Sequence, residues 1–215
     1  MLKKNKDLYK TKYKDLDDDE IVRIRKFMIQ SRFTDKDMKK FVKEVNRISD
    51  LEKETIKIVL NIIPESTPRP RYSSVGHNFY VKNASSNNKF MKLLVGKEEA
   101  LQGYITVPCE FVCRMYFPIP SDMNRVDTLL AEMGYIRPPI QKDWDNLGKT
   151  YSDMIQKWLL INDALIVKGT SEKYWSLKPR VEIEITYTMG PDCKYNTKKI
   201  RATKSYQEAI NPNKI

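Results

Sequence analysis

The segment Val181 to Tyr187, VEIEITY, alternates apolar and polar residues without a break. Period-two alternation sends successive side chains to opposite faces, so this segment reads as a strand with one face on a core and one toward solvent. Two other runs share its β-branched and aromatic character: Ile56 to Ile63 (IKIVLNII) and Cys109 to Phe117 (CEFVCRMYF). His77 to Val81 and Ala164 to Val167 read as shorter strands. Helical spacing is clearest over residues 145–159, where Leu147, Tyr151, Met154, Ile155 and Trp158 form an apolar stripe. Asn124 to Met133 and Lys89 to Glu99 read as further helices. Strands and helices are interspersed, yet the connections near residues 174–188 are too short for helical crossovers. These features predict an α+β fold: a mixed β-sheet with helices packed on one face.

The flanks differ in character. Residues 1–17 are polar and lysine-rich. Ile21, Ile24, Phe27 and Met28 then share a helical face, and Met38, Phe41, Val45 and Ile48 continue the pattern after Thr34, a good N-cap with Asp35 and Asp37 in the turn that follows. Two short amphipathic helices joined near Ser31–Thr34 are expected. Between the first two strands, PESTPRPRYSS cannot pair continuously as a central strand because its prolines lack the ladder donor. The expected division is an N-terminal helical extension over residues 1–54, a main domain over 55–190 and a polar tail over 191–215.

Composition narrows the function. No run of about eighteen apolar residues exists to span a bilayer, and the N-terminal segment lacks the apolar stretch of a secretory signal, so a cytoplasmic location is expected. Three cysteines, Cys109, Cys113 and Cys193, with the single His77, suit neither a disulfide framework nor a zinc site. They read as structural thiols, because Cys109 and Cys113 lie in an apolar strand. A net charge of +11 favours polyanionic partners, nucleic acid first among them.

The chemistry concentrates in KDWDNLGKTYSD. Asp143 and Asp145 flank one residue at the approach to the best helix, and both can turn toward one cation. Hard carboxylate oxygens suit Mg²⁺, which takes one or two carboxylates and leaves positions for water or a phosphate. Asp145 can also cap the helix. Asp145, Lys149 and Asp153 fall at i, i+4 and i+8 on one face, roughly opposite Tyr151 and Trp158. A lysine one turn along can stabilise charge developing on a phosphodiester. Asp163 stands at the mouth of the next strand, which could approach the helix's N-terminal end. Spacing alone is also compatible with simple capping and surface ion pairs.

The ordered segment Lys142, Asp143, Asp145, Asn146, Leu147, Lys149, Asp153 and then Asn162-Asp163-Ala-Leu-Ile-Val-Lys168 resembles the RusA family of Holliday-junction resolvases of bacteria and their phages. The strand RVEIEITY closes the domain as in that family. Upstream, IKIVLNII followed by TPRPRYSS is similar to the family's first strand and basic loop. The resemblance covers residues 55–188. It implies a homodimer that binds four-way DNA junctions and resolves them by paired nicks with Mg²⁺ or Mn²⁺. It further implies that Asp143, Asp145 and Asp163 are metal ligands and Lys149 the catalytic lysine. The chain departs from the pattern in three ways. Asn162 stands where an acid is usual, Gln156-Lys157-Trp158 where small residues are usual, and the first fifty residues have no counterpart.

Arg69 and Arg71, in the proline-stiffened loop, are suited to bidentate phosphate contact. Lys142, Lys168 and Lys173 flank the carboxylates in sequence and are further expected DNA contacts. Tyr72, Phe79 and Tyr80 suit either base stacking or sheet packing, with packing favoured for Phe79 and Tyr80. Trp144 could wedge into a junction or pack at a subunit interface, and His77 receives no role. Two alternatives to an Mg-dependent endodeoxyribonuclease follow from the same residues. One is a non-catalytic branched-DNA-binding protein, the other an interaction module docking replication or packaging proteins through the N-terminal helices.

Overall fold

The structure is a computed structural model, and it describes residues 16–66, 71–72, 78–79, 105–139, 142–156 and 159–188. The chain divides into two compact units at Glu52/Lys53. The first holds α1 (Asp18–Gln30) and α2 (Asp35–Ser49). Each opens on a capping box, Asp17 with Glu20 and Thr34 with Asp37, so orphan backbone donors of both first turns are met by side chains. Met28 is buried, with Ile21 and Ile24 half-buried at helical spacing from it. Phe27, expected on that stripe, is 64% exposed; one residue before Met28, it is rotated about 100° round the helix from it.

Among the described residues the second unit is built on four strands, β1 (Lys53–Leu60), β4 (Cys109–Pro118), β5 (Ile166–Ser176) and β6 (Arg180–Thr188), in the sheet order β1-β6-β4-β5. β6 pairs antiparallel with both β1 and β4, and β4 pairs parallel with β5. A parallel pair needs a long crossover, and here it carries α3 (Arg125–Glu132) and α4 (Trp144–Gln156). Three residues, 177–179, join β5 to β6 past the end of the intervening β4, and β4's last residue is Pro118. Two short strands, β2 (Arg71–Tyr72) and β3 (Asn78–Phe79), form a separate antiparallel pair. The expected helix over 89–99 lies outside the described residues, as do His77, Tyr80 and Val81.

One face of the sheet carries the core. Cys109, Phe111, Cys113, Met115 and Phe117 of β4 meet Val181, Ile183 and Ile185 of β6, Ile58 and Leu60 of β1, and Trp175 of β5. Ala131 of α3 and Leu147, Tyr151 and Ile155 of α4 close over them. Burial lifts the thiol pKa of Cys109 to about 11 and of Cys113 to about 12, so both stay protonated and inert, as structural thiols should. α3 stops where Gly134 takes φ +82°, a conformation that favours glycine, while Tyr135 N–H returns to the Leu130 carbonyl.

The structure corrects the expected boundaries of two strands. β1 runs Lys53–Leu60 rather than Ile56–Ile63, because its ladder with β6 extends to Lys53 opposite Thr188 and ends with Leu60 opposite Val181. The short strand expected at Ala164–Val167 is a 3-10 turn, Asp163–Leu165, followed by the eleven residues of β5. Among the described residues β5 has a strand neighbour on one side only, and Val167 to Gly169 are exposed, so polar residues are tolerated near its start.

Candidate active site

The approach to α4 is conformationally unusual. Lys142 has φ +53°, a left-handed conformation uncommon for a residue with a Cβ. The chain then turns into the helix, and the Asp143 carbonyl accepts the first helical bond from Leu147 N–H at 3.1 Å. Asp143 therefore occupies the cap position and Asp145 lies within the first turn, correcting the expectation that Asp145 caps the helix. Both aspartates are exposed, on either side of Trp144.

Among the contacts that join this end of α4 to β5, three are close. The Trp144 indole Nε1 donates to the Ser171 carbonyl at 2.7 Å, although the residue is 57% exposed. The Lys173 ammonium donates to the Lys142 carbonyl at 3.4 Å. A Cβ added at Gly148 would stand 2.3 Å from Ser171 Oγ, so helix and strand meet there closely enough that a larger residue would force the Ser171 hydroxyl to turn away.

One turn on, Lys149 is exposed and its charge reaches Asp153. Asp163 opens the 3-10 turn that packs against α4, and its charge also reaches Asp153. Partial burial, then repulsion from Asp163, hold the Asp153 carboxyl above the ordinary carboxylate range, while Lys149 pulls the other way. The rise of a helix separates Asp153 from Asp145 by about 12 Å along the axis. Asp143 and Asp145 stand at the head of α4, and the charge of Asp163 is felt by Asp153 further along the helix. Among the described residues no three acids converge closely enough to form a metal-holding group. The donors are nevertheless all hard carboxylate oxygens, and Mg²⁺ commonly takes only one or two of these. Asp153, which sequence reasoning placed on the helix but gave no role, joins the site through this repulsion; its spacing from Lys149 was the signal. Asn162, where an acid was expected, caps the 3-10 turn, accepting from Ala164 N–H at 2.8 Å.

The basic residues are distributed more widely. Lys142 lies beside the carboxylates and Lys173 reaches its carbonyl. Lys168 lies beside Glu110 on the neighbouring strand, paired at 3.2 Å, and Glu110 also holds Lys53 at 3.3 Å. Lys168 is 69% exposed, so this pairing is weak and a phosphate could displace it. Arg71 is in β2, and Arg69 falls outside the described residues. The segment leading to both is tied to α4, because the buried Tyr151 hydroxyl accepts from Glu65 N–H at 3.0 Å.

Comparison with known proteins finds two similarities. The family described as "Endodeoxyribonuclease RusA" matches residues 61–186, more than half of the chain and all of the segment from Lys142 to Lys173. A protein of Bacillus subtilis strain 168, the uncharacterized protein YqaN, is 26% identical over 134 residues, which are 60% of this chain and 94% of that protein.

Proposed function

Because this chain belongs to the RusA endodeoxyribonuclease family, we propose that it resolves four-way DNA junctions by divalent-metal-dependent hydrolysis at the α4 carboxylates. The observation that carries this reading is the arrangement Asp143-Trp144-Asp145 at the head of α4, with Lys149 one turn on, inside the family match. Asp143 and Asp145 would hold Mg²⁺, or Mn²⁺ in its place, and Asp163 would close in from the 3-10 turn beside α4 as the third ligand. When bound, such an ion lowers the pKa of coordinated water and offsets charge on a phosphate.

The chain's own residues supply the rest. Lys149 sits beside the carboxylates, where its ammonium offsets the charge that grows on the phosphate in the transition state. Lys142 and Lys173 at the same end of α4, Lys168 on β5, and Arg69 and Arg71, which follow the anchored Glu65 in sequence, bind phosphates and fix the register of the duplex arms. A C2 homodimer would present two such sites to matching strands of a junction with approximate two-fold character. One site hydrolyses one bond at a time, so paired symmetric nicks require two. Residues 1–54 would then be a helical extension to a nuclease domain over 55–190, with 191–215 a polar tail. No helix among the described residues is long and apolar enough to cross a membrane, and the DNA substrate points to the cytoplasm of a bacterial cell.

The test is cleavage of a four-way junction labelled on each strand in turn, beside plain duplex, with Mg²⁺ or EDTA. Equivalent cuts in two opposed strands, only with the metal, are expected, from a particle of twice the 25.3 kDa chain mass by light scattering. Scattered nicks on duplex and junction alike, made by a monomer, would leave only a general nuclease.

A further inference from the structure

We propose that Trp144 and Ser171 are positioning residues for the metal-binding carboxylates, with Gly148 providing the close seat between them. The inference rests on the reading that Asp143 and Asp145 bind the cation.

The first turn of any helix lacks internal partners for its leading N–H groups and frays readily. Asp143 and Asp145 occupy that turn in α4, immediately after a left-handed residue. β5 braces it from outside the helix. Trp144 lies between the two aspartates, and its indole N–H reaches the Ser171 carbonyl at 2.7 Å. With 57% of the residue exposed, apolar burial is not its main role. One turn further on, Gly148 lets the helix backbone rest against Ser171 itself, whose Oγ would meet an added Cβ at 2.3 Å and whose own Cβ would lie at 3.5 Å. The same strand segment holds a second crossover side chain, since Arg137 Nε donates to the Lys173 carbonyl at 2.6 Å. Among the described residues β5 has a strand neighbour only on the β4 side, and its Ser171 and Lys173 carbonyls accept from the Trp144 and Arg137 side chains instead. A hydrogen bond and a steric seat, both on Ser171, set the height and rotation of the helix end that carries the acids. Pre-organised ligands bind a cation more tightly than the same ligands on a fraying turn.

The experiment is Mn²⁺ titration of the full chain without DNA, read by electron paramagnetic resonance, beside junction binding in EDTA and thermal unfolding. Trp144→Phe keeps a ring and removes the donor, and is expected to weaken Mn²⁺ binding by about threefold to tenfold, the usual worth of one hydrogen bond. Junction affinity in EDTA is expected to be unchanged. Gly148→Ala is expected to weaken Mn²⁺ binding likewise. Adding Ser171→Ala, which removes the clashing Oγ and leaves an ordinary contact, should restore it. Wild-type Mn²⁺ affinity in both Trp144→Phe and Gly148→Ala overturns the proposal. So does a parallel loss of metal and junction binding in Gly148→Ala that Ser171→Ala fails to rescue, because that pattern signals a general structural defect. Asp145→Asn serves as the separate control: if it binds Mn²⁺ as the wild type does, the carboxylate assignment itself fails, and the positioning role with it.

Discussion

Tyr151→Phe probes how the basic loop is coupled to the helix that carries the carboxylates. Tyr151 is 1% exposed, on the core side of α4, and its hydroxyl accepts the Glu65 N–H at 3.0 Å. Burial raises the hydroxyl's pKa further above its already basic ordinary value, so it remains a neutral acceptor at any working pH. Phenylalanine fills nearly the same volume and leaves that N–H unpaired in a partly buried position, at a cost of roughly 1–3 kcal/mol. For a domain of this size each kcal/mol lowers the melting temperature by about 2–4 °C, so a fall of about 2–12 °C is expected. Glu65 leads the chain toward Arg69 and Arg71, so loosening it should also weaken junction binding. The cleavage rate of junction already bound should hardly change, because Tyr151 faces away from Lys149 and Asp153. Thermal unfolding with single-turnover kinetics at saturating enzyme separates the two effects. An unchanged melting temperature would refute the anchoring argument, and a lowered rate with intact affinity would place Tyr151 in the chemistry instead.

Lys149→Ala is expected to lower the single-turnover rate on pre-bound junction by about 10²–10³-fold with little loss of affinity; weaker binding at an unchanged rate would make it an ordinary phosphate contact. Replacing Arg69 and Arg71 together by alanine should weaken junction binding and reduce the slope of log K against log salt by about 0.7–0.9 for each lost phosphate contact. An unchanged slope would remove these arginines from the DNA. Asp153→Asn is expected to raise the melting temperature at neutral pH in EDTA. The wild-type carboxyl titrates above its ordinary value of 3.8 because of burial and Asp163, so its ionised form costs stability in the folded state. That cost sets in as pH rises past the ordinary value, and it should vanish when both proteins are compared below it. Equal melting temperatures for mutant and wild type at neutral pH would contradict the crowding.

Much of the sheet was legible because its central strands alternate. VEIEITY put Val181, Ile183 and Ile185 inward, and CEFVCRMYF did the same for Cys109, Phe111, Cys113, Met115 and Phe117. The α4 stripe was legible at helical spacing, with Leu147, Tyr151 and Ile155 buried. β5 was not, because most of KGTSEKYWS is polar and is held by pairing with β4 and by side-chain donors, with only Trp175 of the segment reaching the core. The cap of α4 was misplaced by two residues, because Asp143 and Asp145 have equal capping chemistry and the left-handed Lys142 decides which one faces the turn. The candidate residues stood out through the order of acids and lysine, whereas the pairing of Asp153 with Asp163 and the Trp144 bond to Ser171 depend on β5 lying beside α4. Contacts between elements distant in sequence leave no local periodicity to read.

The most direct test of the central claim is single-turnover cleavage of pre-bound four-way junction by Asp143→Asn, Asp145→Asn and Asp163→Asn, with junction affinity measured in parallel. Each change removes a charge and a hard oxygen donor while nearly preserving volume. The account predicts that cleavage in Mg²⁺ is abolished in all three while affinity is kept or rises, because carboxylates repel phosphate until a cation neutralises them. Cleavage near the wild-type rate by any one of them would contradict its assignment as a metal ligand, and such cleavage by all three would contradict the account.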